Sequence, residues 1–337
     1  MRVDKLSCSL RAMLKDPRFL GNRENFRFSD SLSTQAEHCR QVAFLAPPEE
    51  MMHFLGGWGL WKNDHDINEA LAFRAFDIVV ASIPINPEIL ARLTDLCFVQ
   101  QIEDLSAEVR LIQPVGATSS NGKTRTMLQE SKNLLINTQK LPEDFRSHMG
   151  EGIRIAVIDT GIDQHPDFMD RIVSSENVSD AQDEFDRVGH GTHVAGIISS
   201  SSDKYSGMAP CTELVSVKAL NDSGVGTTSS VLRALAIAHQ KGAHIVNLSL
   251  GLSGTPSDGR SILSNAVDKL VDMDIAVVVS AGNSGPDECS VSVPADAEGA
   301  LTVGACSKQR ELAEFSSRGP TLDGRMKRIL LLPELEL

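Results

Sequence analysis

Three short segments hold residues whose types and spacing suit proton chemistry. In Ile155-Ala156-Val157-Ile158-Asp159-Thr160-Gly161-Ile162-Asp163 an apolar run ends in a carboxylate followed by a glycine turn. Open α/β sheets place their sites at the carboxyl ends of such strands. In Gly189-His190-Gly191-Thr192-His193-Val194-Ala195-Gly196 two histidines stand at the start of a helical pattern, flanked by glycines that permit close backbone approach. In Val278-Val279-Ser280-Ala281-Gly282-Asn283-Ser284-Gly285-Pro286 a second apolar run ends in an Asn between small residues, whose amide can donate into a cleft. Taken singly, each segment has a plainer reading: a nucleotide-fold strand end, a pair of helix-start histidines, a turn Asn. A metal reading of His190 and His193 lacks a Glu after the first His and a further His/Cys cluster, so no metal ligand is assigned.

The elements that would carry these residues follow from hydropathy. From Gly152 onward, apolar β-branched runs at Ile153–Asp159, Glu213–Ala219, His244–Leu250, Ile275–Ser280 and Ala300–Ala305 alternate with helical patterns at His190–Ser199, Ser229–Gln240 and Ser261–Val271. Strands apolar on both faces, separated by helices, predict a parallel sheet covered on both sides. Thr227, Thr228 and Ser229 are candidate N-caps and Gly242 a C-cap. Residues 40–113 read as a separate small α+β unit: a strand at Val42–Leu45, a helix at Glu49–Leu60, a long strand at Phe73–Pro84, a helix at Pro87–Leu96, and one or two strands in Phe98–Ile112. Residues 114–149 read as a linker with a helix at Met127–Asn137, and residues 1–39 as an N-terminal extension.

Composition narrows the function classes. Over 337 residues the chain is 41% hydrophobic and 23% charged, enough for one large or two smaller cores. A net charge of −13 and 4% aromatics speak against nucleic acid, which needs basic footprints or stacking platforms, and against an anionic membrane surface. Runs of the length that spans a bilayer do not occur, and Met1–Asp30 is broken by charges where a signal peptide would be apolar. Secretion is therefore not written in the chain, and its compartment is left open between cytoplasmic and, if the start is misplaced, secreted. The six cysteines (Cys8, Cys39, Cys97, Cys211, Cys289, Cys306) lack CxxC spacing and are expected as free, mostly buried thiols.

Taken in order along the chain, the three segments closely resemble the Asp, His and oxyanion-Asn blocks of the subtilases, the subtilisin-like serine proteases. Ala209-Pro210, Asn247-Leu248-Ser249-Leu250-Gly251 and Phe315-Ser316-Ser317-Arg318-Gly319-Pro320 extend the resemblance from Gly150 to Lys327. It implies an α/β fold, a subtilisin-like parallel sheet flanked by helices, here incomplete. Asp159 would orient the imidazole, His190 would be the general base and His193 a structural helix residue. Asn283 would be the oxyanion donor. Ser223, Gly224, Ser249, Leu250 and Gly251 would line the edges that pair with an extended polypeptide substrate. Residues 40–113 resemble the family's propeptide domain, through Phe76–Ile85 and Val99-Gln100-Gln101-Ile102-Glu103-Asp104, and would occupy the chain's own active-site cleft.

Two departures qualify these expectations. Ser199–Gly207 is short and lacks the Asn-bearing insertion that binds calcium in some members, so no cofactor is implied there. The family's G-T-S-M-A-x-P block, which carries the nucleophilic serine, does not occur: Gly226-Thr227-Thr228-Ser229 belongs to the substrate edge, and Ser316-Ser317 to another element. The catalytic domain is therefore read as 150–327, with 328–337 an aberrant tail. One choice of synonymous codons for that tail becomes P-D-I-A-A-P-G-V-G-A on restoring a single base, the expected signature of a frameshift. A peptidase by family, inactive for want of its serine, is the expectation; a non-catalytic pseudoprotease that binds peptides is the alternative. A phosphate-loop reading of Gly116–Thr124 fails on the spacing of its glycines.

Overall fold

The computed structural model describes residues 3–6, 10–11, 39–57, 71–84, 87–105, 107–112, 149–203, 205–252, 257–307, 311–327 and 329–333. The helix expected at Met127–Asn137 and the Gly116–Thr124 string lie outside the described residues. Two compact units divide the chain, Met1–Ala107 and Glu108–Leu337.

The first unit is built on a four-stranded antiparallel sheet of order β2-β3-β1-β4. Its elements are β1 (Cys39–Leu45), α1 (Pro48–Gly57), β2 (Leu71–Phe73), β3 (Ile78–Pro84), α2 (Pro87–Asp95) and β4 (Gln101–Asp104). Pro48 opens α1, where a missing N–H costs nothing, and Glu49 and Glu50 complement the helix dipole. Phe44, Leu55, Leu90, Leu93 and Ile102 are fully buried in one cluster that also takes in Leu6 and Leu10. Each such side chain contributes roughly 1.5–3 kcal/mol on burial. The long strand read at Phe73–Pro84 is in fact two. A single 3₁₀ turn at Arg74–Phe76 interrupts it, closed by Asp77 in the left-handed region at φ 55°, a conformation open to Asp.

The second unit holds a seven-stranded parallel sheet of order β14-β13-β12-β10-β6-β8-β7. Its strands are β6 (Arg154–Asp159), β7 (Ile172–Asn177), β8 (Glu213–Lys218), β10 (Ile245–Leu248), β12 (Ala276–Ser280), β13 (Leu301–Cys306) and β14 (Ile329–Pro333). Helices α3 (His190–Ser199), α4 (Thr228–Gln240) and α5 (Ile262–Asp272) connect them, α3 and α4 packing on β6 and α5 on β12. Thr227 caps α4 in a reciprocal capping box with Ser230, and Ser261 caps α5. β6 lies between β8 and β10, and strand order runs outward in opposite directions from it. That is a topological switch point, where such sheets leave a crevice beyond the strand ends.

A separate three-stranded antiparallel sheet, β11-β5-β9, joins β5 (Glu108–Leu111), β9 (Val225–Thr227) and β11 (Leu250–Leu252). The run expected as one strand from His244 to Leu250 thus breaks at Ser249, β10 staying in the parallel sheet and β11 leaving it. Of the cysteines described, Cys97 and Cys211 are exposed and only Cys306 is buried, which corrects the expectation of buried thiols. Both exposed ones sit in connections, Cys97 after α2 and Cys211 before β8. No helix among the described residues is long and apolar enough to cross a membrane.

Candidate active site

Asp159 is the last residue of β6, behind Ala156, Val157 and Ile158, all fully buried. Its carbonyl accepts from the amides of Ala219 and Leu220 at 2.9 and 3.1 Å, so the exit of β8 clamps the strand end. The carboxylate is completely buried and accepts from the Thr160 amide at 2.7 Å. His190, first residue of α3, brings Nδ1 to 2.8 Å from Oδ1 and 2.9 Å from Oδ2 of Asp159. A carboxylate opposite Nδ1 makes that nitrogen the donor, so in the neutral ring Nε2 is left as the acceptor.

Glycine makes this approach feasible. Gly189, at φ 88°, turns the chain into α3. At Gly191 a Cβ would fall 2.1 Å from the Gly161 carbonyl oxygen and 3.1 Å from Asp159 Cβ. A side chain there would push α3 off the strand end and pull His190 from its carboxylate.

Burial pulls the His190 pKa down, but the hydrogen bond and charge of Asp159, with the charge of Asp186, outweigh it, and the net shift is upward. His193, three residues on, is shifted the other way, by burial first and then by repulsion from His190. Among the described residues no group of three His, Cys, Asp or Glu side chains is arranged to hold a metal.

One carboxylate in this network escaped the sequence reading. Asp186, buried on the loop before α3, accepts through Oδ1 from Thr160 Oγ1 at 2.8 Å and from the amides of Val188 and Gly189 at 3.0 and 2.8 Å. Its Oδ2 accepts from the Thr192 amide at 2.9 Å and hydroxyl at 2.7 Å. Thr160 Oγ1 in turn accepts from the Gly191 amide at 3.1 Å. Asp186 therefore ties the end of β6 to the first turn of α3, satisfying helix amides that would otherwise lack partners. An Asp four residues before a helix-start His is the signal that could have found it.

Asn283 lies half-buried just past β12. Its loop is shaped by Gly282, at φ 111°, where a Cβ would fall 2.7 Å from Ser317 Oγ. The Ser317 amide donates to the Gly282 carbonyl at 2.9 Å, and the Ser284 amide to Ser317 Oγ at 3.0 Å. Ser316 Oγ accepts from the Ala305 amide at 3.0 Å. Both serines are 1% exposed, which suits props of the Asn283 loop. The parallel register sets Leu248 beside Ile158 and Val279, so Asp159, Ser249 and the Asn283 loop all follow strand ends on one edge of the sheet.

Ser223 and Gly224 lead into β9, and Ser249, Leu250 and Gly251 form the step into β11. The structure sets the two stretches on opposite sides of β5, with Gly251 opposite Arg110 and Gly226 opposite Val109. The Leu111 amide donates to the Gly224 carbonyl and the Ile112 amide to the Ser249 carbonyl, each at 3.2 Å.

Residues 150–333 match the profile of the subtilase family, Peptidase_S8. The chain belongs to the subtilase family. Over 235 residues it is 34% identical to serine protease AprX of Bacillus subtilis (strain 168), covering 64% of this chain and 52% of that protein. An alkaline protease of Shouchella clausii is 36% identical over 223 residues, 66% of this chain and 57% of its own length. Subtilisin Savinase of Lederbergia lenta is 40% identical over 180 residues, 53% of this chain and 64% of its own. The chain thus spans between half and two thirds of these relatives. The matched region holds Asp159, His190, Asn283 and both edge stretches of the subtilase unit.

Proposed function

We propose that Asp159, His190 and Asn283 are the acid–base and oxyanion parts of a serine endopeptidase site, acting on extended polypeptides. The observation that carries this reading is the fully buried Asp159 carboxylate spanning His190 Nδ1 at 2.8 and 2.9 Å. With Nδ1 committed to the carboxylate, Nε2 can take the proton of a serine hydroxyl as that oxygen attacks the peptide carbonyl. Asp159 stabilises the imidazolium, which then returns the proton to the leaving amine. The Asn283 amide donates to the oxyanion; losing one such donor costs on the order of 10²–10³ in turnover in a subtilisin.

The family's serine block does not occur in these 337 residues, so in this reading the polypeptide by itself cleaves peptides no faster than background. A serine knocked out of a subtilisin costs about 10⁶ in turnover, which sets the expected scale. A fluorogenic peptide assay with a serine-directed phosphonate tests it: steady hydrolysis that the phosphonate abolishes would sink the claim of inactivity. The same chain extended by a family serine block should gain cleavage, and should lose most of it on Asn283→Ala.

A second reading, a peptide-binding subtilase without catalysis, draws on β5. β5 (Glu108–Leu111) lies between the two edges as a peptide would, which favours this stretch of the chain itself as the partner of the cleft. Cleavage by the extended chain separates the two readings.

A further inference from the structure

Lys218, the last residue of β8, is completely buried, although burying an ammonium costs several kcal/mol. Its register partner in the sheet is Asp159. The half-exposed Asp222 carboxylate pairs with Nζ at 2.7 Å, and Nζ also donates to the Phe185 carbonyl at 2.5 Å. An apolar chain of similar length would fill the same space with no charge to desolvate. What the lysine alone supplies is a charged donor at Phe185, one residue before Asp186. That stretch is held from a second direction by Gly161, where a Cβ would fall 2.5 Å from the Glu184 carbonyl oxygen and 3.4 Å from the Asp186 amide nitrogen. The other charges on this turn are Asp183 and Arg187. Their hydrogen bond at 2.6 Å, with a smaller share from the Lys218 charge, holds the Asp183 carboxyl below its usual range.

Building on the reading of His190 as the general base, we infer that Lys218 is a positioning residue for it: the buried ammonium fixes the Phe185 carbonyl, and through it the Asp186 carboxylate, against the first turn of α3. Holding that carbonyl sets the peptide plane from which the Asp186 side chain departs. Asp186 then gathers the amides of Val188, Gly189 and Thr192 at 3.0, 2.8 and 2.9 Å, and α3 begins with His190 in place over Asp159. Asp222 balances the charge of the lysine, so the donor can stay ionised out of water. Lys218 touches neither His190 nor a substrate; it acts through Asp186.

The test uses the full chain and reads no cleavage. In Lys218→Met the Val188 and Gly189 amides should exchange about tenfold faster or more as Asp186 loosens, while α4 keeps its protection. The NMR titration of His190 should move down, because the charge of Asp186 that raises it is no longer held in place. The direct field of the lysine has the opposite sign: removing a cation raises a neighbouring histidine, so an upward move overturns the positioning role. An unchanged titration overturns it too, whatever happens to stability. With Asp186→Asn already in place, Lys218→Met should lower the titration no further, and a second drop of equal size would overturn the route through Asp186. If Lys218→Met does not fold, Asp222→Ala removes one of the two anchors of Nζ at a half-exposed position and should speed exchange at Val188 and Gly189. Exchange is the readout for that variant, since losing an anion would itself lower the histidine, and unchanged exchange overturns the inference. The peptidase reading is judged apart. If the chain extended by a family serine block fails to cleave with Lys218 intact, that reading falls and the link from Lys218 to Asp186 stands.

Discussion

The two units of the chain place their buried polar groups differently. In Met1–Ala107 the described core is largely apolar, and its two buried carboxylates, Glu103 and Asp104, end β4, where Asp104 pairs with half-exposed Arg40 at 2.8 Å; Lys5 Nζ donates to the Leu96 carbonyl at 2.6 Å. In Glu108–Leu337 two carboxylates are fully buried, Asp159 as the last residue of β6 and Asp296 in the connection before β13, the first accepting from the Thr160 amide and the second from Ser264 Oγ. Burying a carboxylate costs several kcal/mol unless partners satisfy it, and the first unit meets that cost at Asp104 with a partly exposed arginine. A unit that moves protons needs such groups away from water, where their fields are strong. The two fully buried carboxylates lie in the second unit, the one that carries the site proposed above.

The largest expected effect tests the apolar half of this comparison. Phe44, fully buried in the first unit, should cost about 3–5 kcal/mol on Phe44→Ala, because the cavity adds to the lost transfer energy. Denaturant unfolding of that unit measures it, and a loss under about 1 kcal/mol would mean that its core is loosely packed. Next in size is Gly191→Ala. Alanine favours a helix over glycine by about 1 kcal/mol, yet here its Cβ would meet the Gly161 carbonyl oxygen at 2.1 Å. Backbone lies on both sides of that contact, so overpacking of about 1–3 kcal/mol wins, and His190 is displaced from Asp159. Unchanged stability with an unchanged His190 titration would show that α3 can shift at no cost.

Much of this second unit was legible in the sequence. His190–Ser199 is a helix with the bounds read from its pattern, and the five strand candidates all lie in β-structure, because buried parallel strands are long apolar runs that leave little ambiguity. Asp159, His190 and Asn283 were read from two strand ends, a helix start and the resemblance to the subtilase blocks; β6 ends at Asp159, α3 begins at His190, and Asn283 follows β12. The misses have physical causes. β7 (Ile172–Asn177) is an edge strand half open to solvent, so its Ser-Ser-Glu-Asn end carries no apolar signal. The break at Ser249 and the turn at Asp77 depend on which partner strand each half finds, and that is settled by tertiary pairing. Asp186 was missed because a carboxylate in a polar loop looks like a solvated charge until the helix amides converge on it.

Asp186→Asn is expected to have a smaller effect than Phe44→Ala, no larger than that of Gly191→Ala, and a sharper one. The amide keeps one acceptor oxygen but brings two donors to a site already crowded with donors, Val188, Gly189 and Thr192 among them. Mismatched buried partners of this kind cost about 1–3 kcal/mol. The charge of Asp186 also helps to raise the His190 pKa, so the His190 titration should move down in the variant. A merely structural role for Asp186 would change the unfolding midpoint and leave that titration where it was.

The smallest effect concerns the two histidines themselves. His190 has a folded-state pKa above its usual value, burial lowering it but Asp159 and Asp186 raising it more. Its contribution to stability is therefore complete below the unfolded pKa, about 6.5, and is lost as pH rises through the higher folded value. His193 has a folded pKa below its usual value, so its contribution is complete above about 6.5 and is lost as pH falls toward the lower folded value. The two slopes have opposite pH windows, one above 6.5 and one below, and give a broad stability maximum near the ordinary histidine pKa. NMR titration of the ring protons should resolve one histidine on each side of that value. His190→Gln should then move His193 partway up and no further, because repulsion from His190 is only the second cause of its shift and burial, the first, remains. A full return of His193 to the ordinary value in that variant would mean that the charge of His190, rather than the packing around α3, sets its proton affinity.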